Sequence, residues 1–420
     1  MASTGKSGSR PRRVLIIVEN LPVPFDRRVW SEATTLKQAG YEVSVICPKG
    51  KDAQAAYEEI EGIRVYRHPL PIEAHGVLAY PLEYLSVFLF ESWLTLKVFC
   101  TRGFDAIHAC NPPDTIFLIG GFFKLFGKKF VFDHHDINPE FYIAKFGRKD
   151  FFYKLLLALE RWTFRTADIS IATNMSYRKI AIERGRMDPD KVYVVRSGPK
   201  IERLRIVPAN LALKKNCKYL VGYVGVIGQP EGIDLLMDSV KYIVETRRRT
   251  DVHFGIVGGG PSLPDMQAYA KSVGVEDYVT FTGRVSDAEL LEMLNTADIC
   301  VNPDRVTEMN DKSTMNKVME YMALKKAIVQ FDVTEGRYSA QDASLYAKPN
   351  DVEDFADKIL ELLDNEELRQ KMGAYGYDRV INELSWEHEA PKLLVAYDAV
   401  FQARPDYAEQ PQPSRGSAEG

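Results

Sequence analysis

The chain lacks most of the features that would announce a chemistry outright. Its 420 residues hold only five cysteines, Cys47, Cys100, Cys110, Cys217 and Cys300, widely spaced and with no CxxC pair. No histidine stands at metal-site spacing from them, so a disulfide scaffold and a zinc module are both excluded. The cysteines sit mostly in apolar runs and are expected to be reduced core residues of a cytosolic protein. A basic excess is missing too: the formal net charge is −4, which argues against a general nucleic-acid binder. There is no unbroken apolar run of the roughly twenty residues that a spanning helix needs. The nearest approach, YPLEYLSVFLFESWLTLKVFC from Tyr80 to Cys100, is interrupted by Glu83, Glu91 and Lys97.

Phosphate-binding loops of the familiar kinds are absent as well. A dinucleotide-binding domain would place GxGxxG after the first strand-like run, RVLIIVEN, but the loop there reads LPVPFDRR and contains no glycine. The fragment GKSG at Gly5 has no strand before it and is not a Walker loop. No acidic DxD-like pair stands at a strand end. No Ser or Cys motif supports a hydrolase triad.

What is present is regular alternation of strand and helix signals. RVLIIVEN, YEVSVICP, FDAIHACN, KKFVFDHHD, ADISIATN and KVYVVRSG read as buried strands, each ending in polar or turn residues. After a polar stretch around Val207–Asn216 the pattern restarts with KYLVGYVGV, VHFGIVGGG, YVTFTGRV, ADICVNPD and KAIVQFD. This predicts an α/β chain of two doubly wound Rossmann-like domains facing a central cleft, with ligands beyond the carboxyl ends of the strands. The expected divisions are a disordered arm over 1–12, domains over 13–205 and 206–385, a helix over 386–402 returning to the first domain, and a disordered tail over 403–420. The tail is rich in Pro, Gly, Ser and Glu. Residues Tyr80–Cys100 are apolar all round a helical wheel. Two readings stay open for them: a helix buried between layers, or one dipping into a membrane interface beside Arg12, Arg13, Arg102, Lys124, Lys128 and Lys129.

Several strand ends carry chemistry. In NDKSTMNKVMEYMALKKAIVQFD, Met315, Val318, Met319 and Met322 form one helical stripe, while Ser313, Asn316, Lys317 and Glu320 form the other. Ser313 or Thr314 can cap the helix, whose amino end suits an anion. DHHD, from Asp133 to Asp136, puts a histidine beyond a strand, and His135 is the member chosen to meet a sugar hydroxyl or the scissile oxygen. Gly225 and Gly228 allow backbone to approach a phosphate, and Gly259 lies in a similar turn. Asp26, Arg27 and Arg28 offer either a solvated helix start or part of an acceptor site.

In this order the features resemble a retaining glycosyltransferase of the GT-B fold, of the family-four type that builds bacterial surface polysaccharides. The resemblance runs from Arg13 to about Tyr397. It rests on DRRVWSEATTLKQAGYEVSVICP, on the D-x-H-D beyond a strand, on VGYVGVIG, GIVGGGP and FTGRV, and above all on NKVMEYMALKKAIV. The family carries a Glu-x7-Glu pair on that helix. Glu320 matches the second member, which holds the nucleotide ribose, but Lys312 stands at the first, beside Asp311. Where the family has a diphosphate-binding Arg and Lys, this chain has Val226 and Glu231.

The resemblance implies metal-independent transfer of a hexosyl or N-acetylhexosaminyl group from a nucleoside-diphosphate sugar, with no cofactor. His135, Asp136 and Glu320 are the implied catalytic set. Gly225, Gly228, Gly259, Arg305, Ser313, Asn316 and Lys317 are the implied donor contacts, and Asp26, Arg27, Arg28 and Asn111 lie on the acceptor side. The implied acceptor is a saccharide or a polyprenyl-linked saccharide at the inner face of the plasma membrane. Two other readings stand beside it: a fold-keeping binding partner without turnover, and a nucleotide-sugar 2-epimerase.

Overall fold

The computed structural model describes residues 10–50, 52–69 and 80–401. Most of the arm, and the tail over 403–420, therefore lie outside the described residues.

The amino-terminal sheet has eight strands: β1 (Arg13–Ile17), β2 (Glu42–Pro48), β3 (Tyr57–Ile60), β4 (Ile63–His68), β5 (Ala106–Cys110), β6 (Lys129–His134), β7 (Ile169–Ala172) and β8 (Val192–Val194). They are ordered β3-β4-β2-β1-β5-β6-β7-β8. All neighbours are parallel except the β3–β4 edge hairpin. The carboxyl-terminal sheet is parallel throughout and has the order β11-β10-β9-β12-β13-β14. Its strands are β9 (Tyr219–Val224), β10 (Val252–Val257), β11 (Val279–Gly283), β12 (Ile299–Asn302), β13 (Ile328–Phe331) and β14 (Ser344–Ala347). Parallel strands must be covered on both faces, which is why β9, β10, β12 and β13 are apolar runs buried along their whole length. The chain is thus two Rossmann-like doubly wound domains, as the alternation predicts.

The first domain carries helices α1 (Arg27–Gln38), α2 (Tyr80–Thr101), α3 (Phe117–Lys124), α4 (Asn138–Phe146), α5 (Phe151–Thr166) and α6 (Met175–Glu183). The second carries α7 (Ile233–Lys241), α8 (Leu263–Ser272), α9 (Asp287–Thr296), α10 (Glu308–Lys312), α11 (Asn316–Ala323), α12 (Thr334–Ala340), α13 (Val352–Asp364) and α14 (Glu366–Arg379). The last helix, α15 (Trp386–Phe401), packs Leu393, Ala396, Tyr397 and Val400 into the core that holds Val14, Val29 and Val45 of the first domain. The opposite face of the first sheet is covered by α2, α3, α5 and α6.

Helix starts follow ordinary capping chemistry. Asp26 caps α1 by accepting from the Val29 N–H, and Ser286 with Glu289 closes a capping box on α9. The cap expected on α11 differs. Its N-cap is Met315, with no side-chain hydrogen bond, because Ser313 and Thr314 are spent elsewhere. Ser313 Oγ donates to the Met309 carbonyl and Thr314 Oγ1 accepts from Asn174.

Candidate functional site

The carboxyl ends of both sheets meet at an open cleft of about 960 Å³, with a second cavity of about 270 Å³ alongside. The smaller cavity joins the DHHD segment to the start of α11: His135, Asp136 and Tyr177 lie on one side, Ser313, Thr314 and Asn316 on the other.

The two histidines of DHHD have opposite environments. His134 closes β6 inside a ring cage of Phe132, Phe164 and Tyr177, fully buried, and neither ring nitrogen makes a well-formed hydrogen bond. Burial lowers its pKa to about 3, so it is a neutral core residue. His135 is half-buried, and its Nε2 lies 2.5 Å from Asp133 Oδ2. With that nitrogen turned to the carboxylate, Nδ1 is the group the imidazole can offer to the cavity.

Asp133 is the hub beneath. Arg28 grips it with two bonds, Nε to Oδ2 at 3.0 Å and Nη2 to Oδ1 at 2.8 Å. The same guanidinium reaches Glu32 at 3.1 Å, the Val195 carbonyl at 2.8 Å and Ser197 at 3.2 Å. Burial works against the charge on Asp133, but Arg28 and then His135 outweigh it and hold the carboxyl ionised. Glu32, buried beside it, is driven well above the usual carboxylate range. The two buried carboxyls are thus driven in opposite directions around one guanidinium. His108, kept neutral by burial, completes the cluster through a 2.8 Å bond from its Nδ1 to the Tyr397 hydroxyl of α15. His108, Cys110 and Asp133, or Glu32, Asp133 and His135, are close enough by distance alone to hold a metal ion. Arg28 already supplies the positive charge between those carboxylates.

Asn111 works as a bracket. Its Oδ1 accepts from the backbone N–H of His135 at 2.8 Å and of Asp136 at 3.2 Å, and its Nδ2 donates to the Asp136 carbonyl at 2.7 Å. Asn20 donates to the Asp136 carboxylate at 3.1 Å, and burial raises that carboxyl above its ordinary range.

In the larger cleft Glu320 projects from α11 and accepts from Arg27 at 2.9 Å and from Arg203 at closer range. Arg203 belongs to the crossover between the domains. Arg284, just past β11, lies over the Phe25 ring at 4.4 Å. Arg27, Arg203, Arg284 and Lys200 all line the cleft, and this set of cations is what stands near Glu320 in place of the family's usual Arg and Lys. Sequence reading missed Arg203 and Arg284 because both lie in connections without a motif around them.

The remaining candidates divide by position. Asn316 lines both cavities, and Arg27 and Arg28 line the cleft. Lys317 is turned inward to Asp304 at 2.7 Å and Tyr223 at 3.3 Å. Arg305 is paired with Asp234. Neither lines either cavity, and neither do Asp26, Gly225, Gly228 or Gly259. The glycine turns bring backbone against backbone: a Cβ on Gly258, at φ +142°, would lie 1.8 Å from the Gly225 carbonyl oxygen. Lys312 reaches across the domains to Glu140 at 3.3 Å and back to Glu308 at 2.7 Å, so it is a clasp between α10 and α4.

Against known proteins, residues 26–203 match the family described as Glycosyltransferase Family 4 and residues 218–365 the family described as Glycosyl transferases group 1. The alpha-D-kanosaminyltransferase of Streptomyces kanamyceticus is 29% identical over 155 residues, covering 36% of this chain and 38% of its own. The 2-deoxystreptamine glucosyltransferase of the same organism is 25% identical over 271 residues, 59% of this chain and 65% of its own. The chain thus spans less than two thirds of the length of both. Sucrose-phosphate synthase from Thermosynechococcus elongatus shares the fold, with a TM-score of 0.73 at 17% identity over 93% of this chain and 99% of that one.

Proposed function

Because the chain belongs to the glycosyltransferases, its first half matching family four and its second half group 1, we propose that it moves a sugar from a nucleoside-diphosphate donor to a saccharide or lipid-linked acceptor in cell-surface polysaccharide synthesis, with retention and without a divalent metal. The observation that carries this reading is the meeting of Glu320 with Arg27 and Arg203 in a cleft that Arg284 also lines, with His135 in the smaller cavity alongside and Asn316 lining both.

The diphosphate is a good leaving group once its growing charge is met by groups already in place. Arg27, Arg203 and Arg284 supply that charge, and the amino end of α11 at Asn316 adds the positive end of a helix dipole. Glu320 is freed as the phosphate draws the guanidinium groups away, and its carboxylate then accepts from the ribose hydroxyls. His135, set by Asp133 and Asn111, presents Nδ1 to the sugar. The acceptor hydroxyl enters on the leaving-group face and gives its proton to the departing phosphate oxygen, so no strong side-chain base is required. Domain closure excludes water from the intermediate stage. A polyprenyl-linked acceptor places the enzyme at the inner face of the plasma membrane.

The test is turnover with a panel of UDP-, GDP- and dTDP-sugars in the presence of a chelator, with and without lipid extract, and the anomer of the product read by NMR. Transfer with retained configuration supports the reading. Tight donor binding with no turnover in any condition means a binding partner instead, and interconversion of the donor at C2 means an epimerase.

A further inference from the structure

The outer side of the helix layer over the first sheet is apolar where it should be wet. At 100° per residue, Leu85, Leu89, Trp93 and Leu96 fall on one side of α2, opposite Val87, Glu91, Thr95 and Val98, which are buried. Trp93 is 64% exposed. On α5 the stripe of Phe151, Leu155 and Trp162 is exposed and lies opposite the buried Glu160, Thr163 and Phe164. Phe151 is 72% exposed, and Leu125, just past α3, is 82% exposed beside Phe122 and Phe126. Ring contacts of the half-buried Phe99 and Phe117 hold the elements side by side beneath these stripes: Phe99 to Phe126 at 5.7 Å and Phe117 to Trp162 at 5.7 Å. Each helix is therefore apolar on two sides, one for the core and one left over. Scattered surface apolar residues need no explanation, but a joined face across three helices does.

Charge decides what covers it. The whole chain is net negative, yet residues 117–129 contain Lys124, Lys128 and Lys129 and no acid, and of these Lys124 is paired with Asp168 at 3.2 Å. Lys154, Arg161 and Arg165 flank the outer stripe of α5 and are exposed. Glu91 is turned inward and fully buried, away from the outer face, and burial pushes its carboxyl well above the ordinary range. Aromatic and leucine side chains ringed by lysine and arginine match the boundary between headgroups and acyl chains of an anionic bilayer. Among the described residues no helix is long and apolar enough to cross a membrane, so such a helix lies in the surface.

We propose that the outer face of α2, α3 and α5, with Trp93, Phe122, Leu125, Phe151 and Trp162 as its apolar contacts and the neighbouring lysines and arginines as its rim, docks on an anionic lipid bilayer. This rests on the lipid-linked acceptor reading and specifies which surface meets the membrane. The helix α4 starts two residues after Asp136, and its Tyr142 hydroxyl donates to Asp150 at the start of α5, so it links the small cavity to the helix that carries Phe151. An acceptor held in the bilayer by its lipid would thereby reach the cleft along α4.

The test mixes the full chain, without donor or acceptor, with phosphatidylcholine vesicles that contain or lack phosphatidylglycerol, and follows flotation and tryptophan emission. Two of the four tryptophans, Trp93 and Trp162, lie on the face. Flotation with the anionic vesicles, a blue shift absent from a Trp93→Phe/Trp162→Phe variant, and loss of binding at high salt are the expected results. Lys128→Glu/Lys129→Glu should weaken binding at least about tenfold, and Trp93→Ser/Leu125→Ser should abolish it with an unchanged melting profile. No flotation with either vesicle overturns the proposal, and so does a dimer in light scattering that hides both tryptophans without lipid. Binding is read without turnover: a chain that floats but transfers no sugar sinks the proposed activity alone, and one that glycosylates a soluble acceptor but never floats sinks only this inference.

Discussion

Arg27 Nη1 lies 2.9 Å from Glu320 Oε1, a bond that ties the first helix of one domain to α11 of the other. The Arg27 side chain is half-exposed, and Arg203 shares the same carboxylate oxygen. A half-exposed ion pair of this kind contributes little to folding, about 0–1 kcal/mol. On the proposed reading it is a placeholder that a donor displaces. Glu320→Ala is therefore expected to cut turnover at least about a hundredfold through lost ribose bonds, while thermal unfolding moves little. A stable variant with full activity removes Glu320 from the site.

Arg203 and Arg284 carry the burden of the diphosphate if the cleft works as proposed. Arg203→Ala and Arg284→Ala should each raise the donor KM by about tenfold or more, the loss expected for a charge-assisted hydrogen bond. Donor affinity of the parent enzyme should fall with added salt, and less steeply in the variants. Steady-state kinetics across a salt series is the measurement; variants with unchanged KM would show that phosphate charge is met elsewhere.

Much of this architecture was legible because parallel strands buried on both faces leave continuous apolar runs, as in Val14–Ile17 or Val252–Val257. Three strands carry no such signal. The edge hairpin β3–β4 alternates charged and apolar residues over YEEI and IRVYRH, and β14 is only SLYA, so neither gives a long apolar signal. His134 closes β6 and His135 stands just beyond it, and the burial of His134 among rings supplies the physical distinction. Sequence could not place Lys317, whose partner Asp304 lies on another loop, nor foresee that Arg28 would face Asp133 and Glu32 in the interior. Glu91 interrupts the apolar run of α2 as its sequence suggests, and no described helix is apolar enough to span, but only the fold shows that its carboxyl points inward. These outcomes depend on which groups the fold brings together across long separations, and local spacing does not encode them.

Asp133 and His135 touch, but their losses should read out differently. Asp133→Asn leaves the buried Arg28 short of its counter-charge, and removing one partner of such a pair typically costs about 3–5 kcal/mol. His135→Ala leaves the Arg28–Asp133 pair intact, so its stability should stay close to that of the parent while turnover falls far more than donor affinity. Urea unfolding and single-turnover kinetics on both variants check this. Equal stability losses would place His135 in the structural framework and not in the chemistry.

His134 gives the last expectation, and it concerns pH. In the folded chain its pKa is near 3, from burial first and the neighbouring Arg184 second, whereas in the unfolded chain it is about 6.5. Between those values the unfolded state binds a proton that the folded state refuses. Stability from this group is thus whole above about pH 6.5 and drains as pH falls toward 3, with a slope approaching 1.4 kcal/mol per unit, roughly that of one proton. His134→Phe keeps an aromatic ring among Phe132, Phe164 and Tyr177 and removes the two poorly bonded ring nitrogens. At neutral pH it should match the parent or exceed it by about 1 kcal/mol, and between pH 4 and 6, a range chosen to lie roughly inside that window, its stability should fall less steeply. Urea midpoints across that range decide the matter: parallel curves for parent and variant would mean that His134 takes up its proton without unfolding the chain, and that the cage around it is more open to water than its complete burial implies.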